Sequence, residues 1–352
     1  RKTYKFLTGT SYIVAKLTGN YCIDRYLAYA SFRPMYRMDG RIDTEMCHPI
    51  CSPEQLAEAK TVTDIAGFVT PQAAAKTGLK AGTPVITGTG DSCAEAISSG
   101  VVKPGNMMIQ FGSTLFINFC TAHLVEDDRV KGTTFTVPGT YVVSAGTNTA
   151  GTLTRWYRDT IFPDYIEAEK STGENAFAKM AADVDDIEPG SCGLITLPYF
   201  AGERSPINDA KAKGMVFGLT LAHTRKHLYR SALESVGYSV AQIFDVFREH
   251  HIIPEKIMAM GGGIQNRPWM QIVADIVGVT LNIPKIIVGA SYGDALMAAL
   301  SAGYFKDFRE LESVIEIADE VKPDKERHIT YQKYLRLYTE LYKANRDLMH
   351  QI

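Results

Sequence analysis

From Thr224 to Phe247 the apolar residues Leu228, Ala232, Val236, Val240, Ile243, Phe244 and Phe247 recur at helical spacing and form one stripe. With Thr224 as its cap, the pattern predicts a long buried helix. Short apolar runs stopped by glycine or polar turns predict strands over 84–87, 106–111, 115–119, 193–197, 256–260 and 280–283. Residues 135–137 and 141–144 read as strands paired across Pro138-Gly139. Helices are predicted over 4–17 (closed by Gly19), 71–78, 150–160, 172–184, 268–277 and 292–302. A further short helix opens at Ser52 or Pro53 and holds Leu56, Ala57 and Ala59, and the chain beyond Phe305 reads as a charged, helical outer layer. Residues 24–37 read as a polar-aromatic loop. Interleaved strands, hairpins and helices place the chain in the α/β class, with mixed sheets.

The stretch 84–116 organises the rest. Its first strand breaks at Gly88-Thr89-Gly90, and Asp91 stands where a helix should start. An Asp there is a good cap, because its carboxylate accepts backbone N–H groups that lack an intrahelical partner. Capping alone is the plain reading. Farther on, Gly112-Ser113-Thr114 makes a tight turn between two strands. A small-residue hairpin tip rich in hydroxyls and exposed N–H groups can approach an anion closely. A carboxylate near a phosphate cradle is what phosphoryl transfer from a nucleotide to a hydroxyl requires. A second glycine turn, Gly261-Gly262-Gly263, ends the strand over 256–260. By itself it fits tight helix–strand packing as well as a ligand site. Neither Gly88-Thr89-Gly90 nor Gly261-Gly262-Gly263 leads into the third glycine of a dinucleotide fingerprint, and no GxxxxGK[ST] loop is present. Taken together, the two turns suggest adenosine at one and phosphates at the other.

At 352 residues the chain predicts two domains, with a boundary at Lys103-Pro104-Gly105, because Pro-Gly cannot continue a helix. A formal charge of −2 gives no reason to expect nucleic acid or an anionic membrane as partner. No apolar run approaches the length a membrane helix needs. The six cysteines are scattered and read as free thiols of a reducing compartment, which predicts a cytoplasmic protein. Cys47-His48-Pro49-Ile50-Cys51 offers half a zinc site with no second pair beside it. Glu203, Arg204 and Asp209 read as a loop salt bridge holding the second domain together, with contact to a cleft as the other reading. His223 and His227 read as structural.

These residues together resemble the FGGY family of carbohydrate kinases, and within it the xylulokinase-type members. The most specific piece is GMVFGLTLAHTRKHLYRSALE, Gly214 to Glu234. It fits the family signature at Gly214, Val216, Gly218-Leu219, His227-Leu228 and Ser231-Ala232-Leu233-Glu234. FAGERSPIND ahead of it is similar to a loop of sugar-kinase members. The resemblance implies an actin/Hsp70-like (ribonuclease H-like) ATPase fold with two domains around a cleft. Residues 1–103 would be the sugar-side domain with the catalytic Asp, and 104–352 the nucleotide-side domain. It implies Asp91 as general base, and Gly112, Ser113 and Thr114 on the β- and γ-phosphates, with the hydroxyls of the usual Gly-Thr-Ser exchanged. It further implies Gly261, Gly262, Gly263 and Asn266 on adenosine, and Gly151 with Arg155 on the phosphate side.

ATP and Mg²⁺ are the implied cofactors, with no metal-ligating side chain assigned. The implied acceptor is a small-molecule sugar, a ketopentose such as xylulose, and self-association into a homo-oligomer is left open. Family members begin with a strand–DxGT–strand hairpin that nothing ahead of Arg1 supplies. The chain is therefore expected to lack its first part, leaving the first domain incomplete. Such a fragment is expected to bind ATP weakly and to phosphorylate no sugar detectably. The competing reading is an inactive or regulatory nucleotide-binding fragment of the same ATPase superfamily. Asp91 and the signature at Gly214 to Glu234 count against it.

Overall fold

The computed structural model describes residues 3–352. Seven strands form its central sheet, in the order Ile317–Val321, Leu281–Pro284, Lys256–Met260, Asn106–Phe111, Leu115–Thr121, Tyr141–Thr147, Lys131–Thr134. The sheet is mixed, as expected. Lys256–Met260 runs parallel to Asn106–Phe111, with Lys256 opposite Asn106 and Met260 opposite Gln110. The hairpin strands Asn106–Phe111 and Leu115–Thr121 are antiparallel and meet at Phe111 and Leu115.

Successive side chains of a strand point to opposite faces, so each strand feeds two cores. Met107, Ile109 and Phe111 join Leu115, Ile117 and Phe119 in the larger core, under the helices Arg225–Glu249, Arg267–Val277 and Gly151–Ile161. Met108 joins Cys120, Val142, Met258 and Met260 in the second core, under Asp91–Ser98 and Ala290–Ser301. With both faces covered, Asn106–Phe111 can be apolar at nearly every position. The first hundred residues build smaller sheets. Cys22–Asp24 pairs parallel with Glu58–Lys60, and Ile65–Phe68 pairs antiparallel with Pro84–Ile86.

The long helix predicted behind Thr224 is Arg225–Glu249, its start closed by a capping box between Thr224 and His227. Several other expectations need correction. The first helix begins at Gly9, not at residue 4, because Thr8 accepts from the Ser11 amide and fixes the start there. Residues 24–37 are not all loop: Asp24 accepts from the amides of Tyr26 and Leu27 and caps a helix over Arg25–Ser31. The short helix expected after Ser52 is a single 3₁₀ turn, Pro53–Gln55, and Glu58–Lys60 is drawn into a strand by its pairing. The helix expected over 172–184 is shorter, Ala176–Ala182, and an unpredicted helix, Pro163–Thr172, precedes it and ends at Gly173 with φ +76°. The partner of Tyr141–Thr147 is Lys131–Thr134, and residues 135–140 form the connection. The C-terminal region holds an edge strand, Ile317–Val321, and its last helix is no mere outer layer, since Tyr331 and Tyr338 are fully buried.

Candidate active site

The hairpin tip Gly112-Ser113-Thr114 sits against the start of the helix Gly151–Ile161. The Gly151 amide donates to the Gly112 carbonyl at 2.9 Å, and the Thr152 amide and hydroxyl both donate to the Ser113 carbonyl, at 3.0 and 2.9 Å. A Cβ on Gly151 would lie 2.6 Å from the Gly112 oxygen, so glycine is what allows this approach. The first N–H groups of this helix are therefore spent on the hairpin's carbonyls. The tip's own side is different: Ser113 and Thr114 are exposed, and among the described residues their amides donate to no backbone carbonyl.

The parallel pairing of Lys256–Met260 with Asn106–Phe111 brings the second glycine turn to the same end of the sheet. Gly261 has φ +87°, and a Cβ there would fall 2.7 Å from the Phe111 carbonyl oxygen. A Cβ on Gly263 would meet Phe111 at 2.7 Å and Trp269 at 2.9 Å. Both glycines are needed for packing. Gly262 is the exception, since a Cβ there has nothing within 4 Å.

Between the two turns lies a cavity of about 560 Å³. It is lined by seven residues singled out in the sequence: Gly112, Ser113, Gly151, Arg155, Gly262, Gly263 and Asn266. Thr114 and Gly261 are adjacent in the chain but are not part of the lining. The floor is aromatic, with Phe111, Tyr229 and Trp269, and the rings of Phe111 and Trp269 meet edge-on at 5.5 Å. Arg155 is the lining residue that carries a charge. It is exposed, and among the described residues it forms no salt bridge. Burial raises the Tyr229 hydroxyl well above its ordinary range, so that ring stays neutral.

Asn266 has an unforeseen task. Its side-chain oxygen accepts from the Trp269 amide at 3.0 Å, capping the helix Arg267–Val277, and its nitrogen donates to the Tyr229 hydroxyl at 3.4 Å. The carboxamide is thus committed to the wall, and Gln265 beside it is the exposed amide. Phe177, Ala178 and Ala181 close another side of the cavity. Neither they nor Tyr229 and Trp269 were marked in the sequence. The signal for Trp269 lay one residue past the expected helix start, while Phe177 sits behind the overlooked break at Gly173.

Asp91 is the first residue of the helix Asp91–Ser98, and Gly90 holds the cap position. Its carboxylate accepts from the Ser92 amide at 2.8 Å and is exposed. It does not line the cavity. Leu27, on the helix that Asp24 caps, packs against Gly90, where a Cβ would lie 3.2 Å from it. One turn beyond Asp91, Glu95 is half-buried, and desolvation raises its pKa against an opposing hydrogen bond from Gln110.

The cluster at Glu203, Arg204 and Asp209 does not form the expected internal salt bridge. Glu203 is buried and accepts from the amides of Asn148 (2.8 Å) and Arg204 (2.7 Å), while its second oxygen has no partner. Burial pushes its carboxyl up to about 7. Arg204 donates to the carbonyls of Thr147 (2.7 Å) and Leu115 (3.4 Å). Asp209 accepts from Tyr342 and from His350, each at 2.7 Å. Burial works to raise the Asp209 pKa, but these bonds outweigh it and hold the group down to about 2. Each member ties the loop to a different neighbour.

In the stretch Gly214 to Glu234, Glu234 is fully buried, pairs with Arg230 at 3.1 Å, and accepts from the Gly190 amide and Ser191 hydroxyl, both at 2.9 Å. Gly218, at φ +92°, lets the chain pass the Gly193 carbonyl, which a Cβ would meet at 2.6 Å. Most of this stretch carries packing, and Tyr229 is its one residue in the cavity lining.

Comparison with known proteins identifies the family. The C-terminal domain of the FGGY family of carbohydrate kinases matches residues 107–302, and its N-terminal domain matches residues 1–98. A gluconokinase of Bacillus licheniformis is 26% identical over 355 residues, covering 100% of this chain and 69% of that protein. A xylulose kinase of Staphylococcus epidermidis is 30% identical over 285 residues, covering 80% of this chain and 55% of that protein. Among solved structures, xylulose kinase from Rhodospirillum rubrum superposes with a TM-score of 0.86 at 28% identity, covering 99% of this chain and 69% of that one. The chain thus spans between about half and about two thirds of the length of these relatives. The expected actin/Hsp70-like fold and the resemblance to sugar phosphotransferases are both met. The family's C-terminal domain alone takes in more than half of the sequence, and the chain belongs to the FGGY family of carbohydrate kinases.

Proposed function

We propose that the protein transfers the terminal phosphoryl group of ATP to a hydroxyl of a sugar, a ketopentose such as xylulose, with Asp91 as general base. In this reading residues 1–103 serve the sugar and residues 104–352 the nucleotide. The observation that carries it is the cavity between the two glycine turns. It combines an aromatic floor suited to a planar base with an unpaired guanidinium and two unbonded hairpin amides suited to phosphates. The open side of Gly262 allows a ligand to reach the backbone.

Asp91 is an exposed carboxylate at a helix start, free to accept a proton from an attacking hydroxyl. The hairpin amides supply donors for charge on the transferring group. The described residues contain no group of three or more His, Cys, Asp or Glu able to hold a metal. Magnesium therefore enters as a companion of the nucleotide's phosphates, where it neutralises charge, and no protein cage is assigned to it. The ketopentose is preferred over the other acceptors because the signature is xylulokinase-like. Relatives named for gluconate and ribulose make those sugars the proper comparisons.

Two measurements test the proposal. Calorimetry on this chain with ADP, with and without Mg²⁺, should show binding. An ADP-release assay on the natural gene product should respond to D-xylulose more strongly than to L-ribulose, D-gluconate or glycerol. Preference for one of the others would reassign the sugar, and no sugar-dependent release from any would sink the kinase reading.

A further inference from the structure

The loop from Pro198 to Ser205 lies outside the cavity, yet it is hydrogen-bonded to both elements that form the cavity's hairpin end. Glu203 accepts from the Asn148 amide at 2.8 Å, and the Asn148 side chain donates to the Ala201 carbonyl at 3.0 Å. The Thr149 hydroxyl donates to the Pro198 carbonyl. The next two residues, Ala150 and Gly151, donate their amides to Ser113 (3.2 Å) and Gly112 (2.9 Å) at the hairpin tip. A second route runs through Arg204. Its guanidinium donates to Leu115, the first residue after the tip, and to Thr147, the last residue of the neighbouring strand. Strand Tyr141–Thr147 is closely packed there, since a Cβ on Gly146 would lie 2.3 Å from the Leu115 oxygen and 3.2 Å from Arg204. The Ser205 amide donates to the Gly146 carbonyl at 3.1 Å.

We infer that Glu203 and Arg204 are positioning residues: together they clamp the hairpin tip Gly112-Ser113-Thr114 to the start of the helix at Gly151, and so set the phosphate end of the cavity. Three features of the pair fit this role better than general loop anchoring. Both residues bond to backbone groups of the segments flanking the tip, and so act on main-chain position. Glu203 is buried with one oxygen unpartnered, an arrangement kept although an apolar residue would avoid the desolvation cost. The loop is anchored elsewhere by Asp209, through Tyr342 and His350, so the clamp is not needed for that.

The inference rests on the nucleotide reading of the cavity, and its test separates the two. Glu203→Ala, Glu203→Gln, Arg204→Lys and, as control, His350→Gln are compared with the wild-type chain. The readouts are thermal melting, amide hydrogen exchange without ligand, and ADP binding by calorimetry. Glu203→Ala and Arg204→Lys should speed exchange locally, at Asn148, Ala150, Gly151 and Thr152. They should also weaken ADP binding by about tenfold, as expected for buried amides or carbonyls left without a partner. Glu203→Gln keeps an acceptor oxygen and should restore most of the affinity. His350→Gln should leave exchange at these four residues and ADP binding at wild-type values. If Glu203→Ala does not fold, Arg204→Lys and the Gln variant still decide the matter. Wild-type ADP affinity in the folded variants overturns the clamp. So does faster exchange spread evenly over the chain, which marks a merely structural role. If the variants show the local exchange changes but the wild-type chain binds no ADP, the nucleotide reading is overturned, and the phosphate-end role with it.

Discussion

Asp91 occupies the first position inside its helix, one place past Gly90, and not the cap position the sequence suggested for it. Its carboxylate therefore closes only a short bond to the adjacent Ser92 amide and remains exposed. Asp91→Asn preserves that bond and the volume but removes the base. In the complete enzyme, turnover should fall by at least the ~10²-fold expected for lost general-base catalysis, with nucleotide affinity nearly unchanged. Near-normal kcat in this variant would take Asp91 out of the mechanism. Gly262 offers a different test, because a side chain there has open space and no backbone strain to overcome. Gly262→Val should melt like the wild type and bind ADP poorly. Normal ADP affinity in a folded Gly262→Val chain would mean the turn only packs. At this scale the sequence showed which residues gather, because the hairpin tip and the glycine turn were read together and not singly. It could not show how each is employed. Asn266 caps a helix and Gly151 yields to a carbonyl, and both facts depend on neighbours distant in the chain.

The hairpin and the helix at Gly151 behave as one element, because the helix's first donors are closed by the hairpin's carbonyls. Gly151→Ala drives a methyl to 2.6 Å from a backbone oxygen, where no flexible side chain can yield. The two segments must part, at about 1–3 kcal/mol for an overpacked site. ADP affinity should fall along with the melting temperature, whereas Gly173→Ala, in open space, should change melting alone through its left-handed backbone. Equal ADP affinity in wild type and Gly151→Ala would refute the coupling. Elements with strong periodicity and clear stops, such as Arg225–Glu249 and Lys256–Met260, were legible from the chain alone. Those missed had muted patterns. Ile317–Val321 exposes four of its five residues and is a strand because Leu281–Pro284 lies beside it. Arg25–Ser31 is so short that the Asp24 cap was its one signal.

Across the molecule, buried carboxyls set a pH response, Asp24 and Glu203 among them. Burial raises Asp24 from 3.8 and Glu203 from 4.5, each to about 7. Between those values the folded chain holds protons that the unfolded chain has released. Their contribution to stability is therefore greatest at low pH and is lost as pH rises toward 7, by up to about 1.4 kcal/mol per pH unit for each group. Asp209 acts oppositely, since its lowered pKa gives stability that disappears as pH falls from about 4 to about 2. Melting curves from pH 4.5 to 7.5 should show a shallower decline for Asp24→Asn than for the wild type, and parallel slopes would contradict the assignment. The α/β class and mixed sheet were readable from alternating runs and helical stripes. The strand order was not, because nothing local says that Lys256–Met260 inserts beside Asn106–Phe111. That insertion has a consequence for the newborn chain. As the ribosome extends the polypeptide, Asn106–Phe111 emerges early, and its parallel neighbour follows only after everything from Gly112 to Glu255 has been made. At bacterial and eukaryotic synthesis speeds this interval is on the order of 10 s. Throughout it, a segment reading NMMIQF, with five of its six residues destined for full burial, has no partner on one side. The cavity between the two glycine turns therefore cannot form until Lys256–Met260 is seated beside Asn106–Phe111, and a chain able to hold a ligand there is one in which that pairing is already made.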